Sequence, residues 1–212
     1  MDRSKIGFVV GLAAEARLLD MTGCAVEIGG GTAPGAARAV AGLIGRKAGA
    51  IISFGLAGGL NPALPPGALL IPEAVLDGGT LFHCDAELLR LLGGATCKST
   101  VAEQAVVATV ARKQALFAQT GADAVDLESG AVARAAAGAG IPFAVLRAVA
   151  DPAARDLPPA ALVALSGTGR IGLLSVLASV LKQPGQIPAL LAVGRDAAKA
   201  RGALVRKLRA TG

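Results

Sequence analysis

The chain alternates between short apolar runs and amphipathic, alanine-rich stretches. Residues 5–12 are an apolar run ending at Gly11, and residues 25–31 are a second one ending in "GGG". "APGAARAVAGLIGRK", residues 33–47, predicts a helix: it is rich in alanine and closes on basic residues, which suit the negative end of a helix dipole. "AGAIISFGLAGGL" predicts a buried strand, Ile51 to Phe54, followed by a glycine turn, Gly55–Gly59. "GALLIPEAVL" predicts a further strand, and "DAELLRLLGG" a short helix capped by Asp85 and stopped at Gly93. A strand is expected near 104–109 and a helix over "VARKQALFAQTG". A strand–helix–strand unit, "AVDLESGAVARAAAGAGIPFAVLRAVAD", then runs from Ala124 to Asp151. Helices over 158–166, 170–182 and 188–209 complete the pattern. Strands alternating with helices predict an α/β fold with a sheet covered on both faces. No repeat or linker interrupts the chain, so one domain over 1–212 is expected, helical from about residue 156.

Composition changes this picture little. The chain is 53% hydrophobic, and its 29 glycines and 11 prolines punctuate apolar runs instead of forming a low-complexity tract. No apolar run reaches the roughly 20 residues needed to span a bilayer. The first residues read as a strand, not a signal peptide. Three cysteines and one histidine lack metal-ligand spacing, so no metal or other cofactor is expected, and a reduced, cytoplasmic setting is. The net charge is +6, much of it from Arg195, Lys199, Arg201, Arg206, Lys207 and Arg209. These suit a solvated helix face or attraction to an anionic membrane surface. With five phenylalanines and no Trp or Tyr, a base-stacking nucleic-acid surface is not supported, and Phe54, Phe82, Phe117 and Phe143 are expected in the core.

In α/β sheets ligands gather at the carboxyl ends of the strands. Asp126, Glu128 and Asp151 fall there, as do Glu15 after the first strand and the glycine turns Gly29–Thr32 and Gly55–Gly59. Each has a plainer reading by itself. Asp151 could cap a helix starting near Pro152, Asp126 could be a helix-entry acid, Glu15 a surface acid, and Arg147 a salt-bridge partner.

Together, "IGFVVGLAAEARLL", "ISFGLAGGLNPALPPGALLIPEAV" and the Ala124–Asp151 unit resemble the purine nucleoside phosphorylase and methylthioadenosine/adenosylhomocysteine nucleosidase superfamily, to about residue 155. "VDLES" and "LRAVAD" carry the resemblance most strongly. The later segments "RDLPPAALVALSGTGR" and "LKQPGQIPALLAVGRDAAKARGALVRKL" look like the hopanoid-associated phosphorylase branch. The superfamily implies a three-layer fold with a central twisted mixed sheet flanked by helices. It implies Asp151 as the acid that protonates a departing purine, and Glu128 as the acceptor of the ribose hydroxyls. Asp126, Leu127, Leu56 and Gly58 are implied around the bound nucleoside. In its nucleosidases, the residue matching Glu15 activates water, although "GLAAE" is one residue shorter than their pattern. In its phosphorylases, phosphate would be held by Arg17, the backbone of Gly30 and Gly31, and Arg147. Leu56 and Ala150 stand where the superfamily has serines. The branch implies phosphorolysis of adenosylhopane with inorganic phosphate as co-substrate, on a site opened by the shortened stretch "LDGGTLFHCDAELL". It would operate at the inner face of the membrane. A nucleosidase for methylthioadenosine or adenosylhomocysteine is the alternative, and an inactive nucleoside-binding module a third reading. The resemblance further implies a homo-oligomer, a dimer or larger.

Overall fold

A computed structural model describes residues 3–165 and 183–211. Its elements run β1 (Ile6–Val10), α1 (Ala13–Ala16), β2 (Ala25–Ile28), α2 (Ala33–Gly45), β3 (Ala50–Gly59), β4 (Leu69–Leu70), β5 (Pro72–Asp77), β6 (Thr80–His83), α3 (Ala86–Leu91), β7 (Cys97–Ala102), α4 (Val110–Thr120), β8 (Ala124–Asp126), α5 (Ser129–Gly138), β9 (Phe143–Asp151), α6 (Pro159–Leu165) and α7 (Ile187–Thr211). For α7 this sets the bounds of the element; the 170–182 helix predicted before it lies outside the described residues.

The nine strands form one mixed sheet, with the path β2-β1-β3-β8-β7-β5-β6 and with β9 joining β3 to β4. Its centre is apolar in both directions. Every residue of β1 is buried, and β3 and β9 pair in parallel from Ile51↔Phe143 to Gly58↔Asp151. Such near-continuous apolar strands need cover on both faces. Helices α2 and α5 pack against each other and on the sheet, while α7 packs on β9, β3 and β4. One core cluster joins Ile51, Ile52 and Leu146 of the sheet to Leu43 of α2, Val132 of α5 and Leu204 of α7. Phe54 and Phe143 lie in this core as expected, and Phe54 meets Phe8 edge to face at 6.0 Å.

Two expectations need correction. Gly55–Gly59 is not a turn: the strand that begins at Ala50 continues through it to Gly59. The backbone there keeps both neighbours, β9 along most of its length and β8 in antiparallel pairing at Gly58 and Gly59. Ladder bonding on both edges outweighs the poor strand propensity of glycine. Residues 104–109 are not a strand; the strand lies earlier, at Cys97–Ala102, between β5 and β8. Its polar sequence "CKSTVA" hides it from a hydrophobicity reading, since only Thr100 and Val101 are buried. The shortened stretch after "LLIPEAV" folds as the antiparallel β5–β6 hairpin, with Asp77 opposite Thr80 across Gly78–Gly79.

Candidate active site

The ends of four strands, β1, β3, β8 and β9, and two helices, α1 and α7, converge on a cavity of about 210 Å³. Its wall includes Gly11, Glu15, Leu56, Gly58, Glu128 and Asp151, and also Asp126, Leu127, Arg147 and Ala150. The rest is apolar: Leu12, Ala57, Val106, Val107, Val125 and Leu157, with Val193 and Ala197 from α7. No aromatic ring lines it among the described residues. A second groove of about 470 Å³ lies between Pro65–Ala68 and the Lys199 and Arg206 face of α7, and among the described residues no acidic side chain lines it.

On one side of the cavity the charges share partners, an arginine and backbone amides. Glu15 is 4% exposed and accepts from three backbone amides: Gly11 at 3.0 Å and Leu12 at 2.9 Å on Oε2, and Leu56 at 2.9 Å on Oε1. Burial raises its pKa, opposed by the Arg147 charge and by these amides. A carboxylate has about four acceptor sites, so one remains for a further donor. The site needs Gly55 here, because a Cβ at that position would stand 2.4 Å from Glu15 Oε1 and the residue has φ +152°.

Arg147 is the hub. It is 1% exposed. Nε donates to Ser129 Oγ at 3.1 Å, one terminal nitrogen donates to the Leu56 carbonyl at 2.9 Å, and the other donates to Ser53 Oγ at 2.9 Å and Glu128 Oε2 at 2.8 Å. Four of the five N–H groups of a guanidinium are therefore committed inside the protein. Asp126 Oδ2 lies 3.2 Å from Nε, but that N–H points at Ser129, so the attraction is coulombic without a hydrogen bond. Asp126 Oδ1 accepts from the amides of Glu128 and Ser129 at 2.9 and 2.7 Å, which caps the start of α5. Its carboxylate is thus held by the helix and by Arg147.

Glu128 keeps one oxygen for the cavity. Oε2 belongs to Arg147, while Oε1 faces Gly11, where an added Cβ would stand at 2.4 Å, with Gly31 next to it. Burial pushes its carboxyl up to about 7, against the Arg147 charge and helped by Asp126 and Glu15.

The opposite side is built differently. Asp151 ends β9, and Pro152–Pro158 is not helical, so no helix there is capped by it. Lys113 of α4, fully buried, lies 2.7 Å from Asp151 Oδ2, and Oδ1 is buried with no hydrogen-bond partner. Burial raises the Asp151 pKa, and the hydrogen bond and charge of Lys113 oppose the rise.

The structure thus brings Glu15, Leu56, Gly58, Asp126, Leu127, Glu128, Arg147 and Asp151 to one cavity. Gly31 joins them, with Gly30 next to it; both have φ of +72° just ahead of Thr32, which caps α2. Arg17 does not join them: it is exposed on the turn after α1 and absent from the wall. Sequence reasoning missed Lys113, Ser53, Ser129 and Gly11, and it placed Gly55 on the rim without its contact to Glu15. A signal existed for two of these. Lys113 sits at the apolar spacing Val110–Lys113–Leu116 of an amphipathic helix, and Ser53 interrupts the apolar run of β3.

Comparison with known proteins defines the class. The family model for the phosphorylase superfamily matches residues 8–166, and the chain belongs to that superfamily. No curated protein matches the chain. Among solved structures, it is similar to the S-adenosylhomocysteine nucleosidase of Streptococcus pyogenes bound to 5-methylthiotubericidin, at 17% identity and TM-score 0.68, over 98% of this chain and 97% of that one. The 5′-methylthioadenosine/S-adenosylhomocysteine nucleosidase of S. pneumoniae with a transition-state inhibitor aligns at 14% identity and TM-score 0.67, over 98% and 99%. The futalosine hydrolase of Helicobacter pylori aligns at 15% identity and TM-score 0.67, over 96% and 97%. At these identities the likeness is one of fold. Among the described residues no helix is long and apolar enough to cross a membrane.

Proposed function

We propose that the protein cleaves the N-glycosidic bond of an adenine nucleoside by adding water, and that its substrate carries an apolar 5′ substituent, adenosylhopane being the candidate. The observation that carries the reading is the placement of three carboxylates, Glu15, Glu128 and Asp151, around one cavity whose remaining wall is apolar apart from Asp126 and Arg147. Each has a separate task. As the bond from the sugar to the base breaks, its electron pair moves onto the purine, and Asp151 delivers a proton there. The sugar carbon becomes positive, and Glu128, whose Oε1 accepts from the ribose hydroxyls, stabilises that charge. Glu15 uses its remaining acceptor site to take a proton from the attacking water. The products are adenine and the free sugar.

Burial raises the pKa of both Glu15 and Asp151, which brings base and acid toward neutral pH, where proton transfer is most effective. The absence of a serine hydroxyl at Leu56 leaves the seat of Glu15 intact, because Leu56 acts through its backbone amide and carbonyl. A pure binding module would have no use for a proton donor at Asp151.

Phosphorolysis is the second reading, favoured by one observation: Gly30 and Gly31, both at φ +72°, precede the start of α2, and Gly31 lines the cavity. Against it, Arg147 has spent four donors and Arg17 lies outside the wall. The lipid substrate is supported by the apolar wall and by α7, where Ile187 and Leu191 are exposed on the same helix that brings Val193 and Ala197 to the cavity. The basic residues Arg195, Lys199, Arg206 and Arg209 follow on the exposed surface of this helix, the pattern of a helix that rests on an anionic membrane. The test is adenine release from adenosylhopane in detergent and from methylthioadenosine, each with and without phosphate. Release from the lipid without phosphate is expected. Dependence on phosphate would shift the reading to phosphorolysis, and release only from methylthioadenosine would remove the lipid.

A further inference from the structure

Lys113 is 0% exposed, an uncommon position for a lysine. All three of its N–H groups have partners: the Pro152 carbonyl at 3.0 Å, the Arg155 carbonyl at 2.7 Å and Asp151 Oδ2 at 2.7 Å. Two of these belong to the segment just after β9, so the ammonium is fixed to the chain that follows the acid as well as to the acid. The start of α4 is stitched to the same segment: Val110 N donates to Asp156 Oδ1 at 2.6 Å, and Leu157 N donates to the Ala108 carbonyl at 2.8 Å. The charged groups that act on Asp151 are Lys113 from α4 and Arg155 and Asp156 from that segment. Of these, only Lys113 contacts the carboxylate.

We propose that Lys113 is a positioning residue for Asp151, giving its two carboxyl oxygens different tasks. The inference rests on the reading of Asp151 as the acid. An ammonium has three donors and no acceptor, so the oxygen it faces stays an acceptor and cannot carry the acidic proton toward it. The proton therefore sits on Oδ1, the buried oxygen without a protein partner. When the glycosidic bond breaks, this O–H gives its proton to the purine nitrogen, and the carboxylate left behind is stabilised by Lys113. The lysine fixes the rotation of the carboxyl and lowers the cost of ionising it at the moment of transfer. It touches neither sugar nor base.

The test uses the full chain with Lys113→Met, which keeps the length and apolar bulk of the stem. Two substrates are compared: methylthioadenosine, whose base needs a proton to leave, and 4-nitrophenyl ribofuranoside, whose leaving group does not. The variant is expected to lose roughly 10²-fold in kcat/KM on the first, in the range of a general-acid contribution, and far less on the second. The alkaline limb of its pH profile on methylthioadenosine should move to higher pH, because the cation that favours ionised Asp151 is gone. Equal losses on both substrates with an unmoved limb would mean that Lys113 is only structural, and would overturn the proposal.

The carboxyl 13C titration of Asp151, assigned with Asp151→Asn, reports the same interaction without turnover. Its midpoint should rise in Lys113→Met, and an unchanged midpoint overturns the proposal. Where the wild-type protein cleaves neither substrate, this titration alone decides whether Lys113 governs the acid, and adenine release from adenosylhopane separately decides the proposed reaction. If Lys113→Met does not fold, the 15Nζ resonance of Lys113 in the wild-type protein decides. A shift that follows the Asp151 midpoint supports the proposal, and one that ignores it overturns it.

Discussion

The two sides of the cavity hold charge in opposite ways. On the side proposed to hold the sugar, Arg147 sits among Asp126, Glu128, Ser53 and Ser129, and Glu15 is bound by three amides; four of the five Arg147 N–H groups have partners, and Asp126 Oδ2 is held by charge alone. On the side proposed to hold the base, a single lysine holds one oxygen of Asp151 and leaves the other without a hydrogen-bond partner among the described residues. A saturated network is rigid and keeps its charges fixed, which suits binding and the stabilisation of a developing cation. A half-satisfied carboxyl is costly in a folded protein and is kept where a proton must move. The difference teaches how one cavity can hold acids for two purposes: shared partners fix the charges of Glu128 and Glu15, and a single lysine leaves one oxygen of Asp151 for a proton.

The contrast can be broken most sharply at Asp151. Asp151→Asn keeps the shape and removes the acid, and kcat/KM for adenine release should fall by about 10²- to 10⁴-fold with little change in melting temperature. A comparable loss of stability would mean that the base side is structural too. Next comes the hub of the saturated side. Arg147→Met leaves the carboxylates of Asp126 and Glu128 buried without their cation, and should destabilise the fold by about 3–5 kcal/mol in denaturant melts. A marginal change would show that the network is less interdependent than its geometry implies.

Gly55→Ala probes the seat of Glu15. The new Cβ would meet Glu15 Oε1 at 2.4 Å, at a φ of +152°. A cost of about 1–3 kcal/mol in stability is expected, with adenine release falling through a displaced Glu15. The smallest effect is a pH slope. Glu128 has a folded pKa raised above its unfolded value, so the folded state binds more protons than the unfolded chain between the two. Stability should therefore fall as pH rises from the ordinary carboxylate range through about 7. Glu128→Gln should flatten that slope in a series of thermal melts, and an unchanged slope would place the titration elsewhere.

Much of this was legible in the sequence, for physical reasons. Apolar strands buried on both faces, such as "IGFVV" and "FAVLRAVAD", announce a covered sheet, and acids placed just past their ends have little reason to be there except a site. The capping of α3 by Asp85 follows from local chemistry and is found as expected, with Oδ1 accepting from the Glu87 and Leu88 amides. What the sequence concealed depends on distant contacts. Residues 55–59 look like a turn because glycine dominates them, yet β8 and β9 hold them in the sheet. Strand β7 has too few apolar residues to be found by periodicity, since only two of its six are buried. Lys113 reads as one more surface lysine until α4 is seen against the end of β9. Arg17 and Arg147 look alike as anion binders along the chain; one is exposed outside the wall and the other is consumed by its neighbours.

The most direct test of the central claim is the rate of adenine release by the purified protein in phosphate-free buffer, measured side by side for the wild type, Asp151→Asn and Glu15→Gln. The account predicts steady release by the wild type and severe loss in both variants, with the folds retained. Absence of adenine release from the wild type, or release that survives removal of the Asp151 acid, would contradict it.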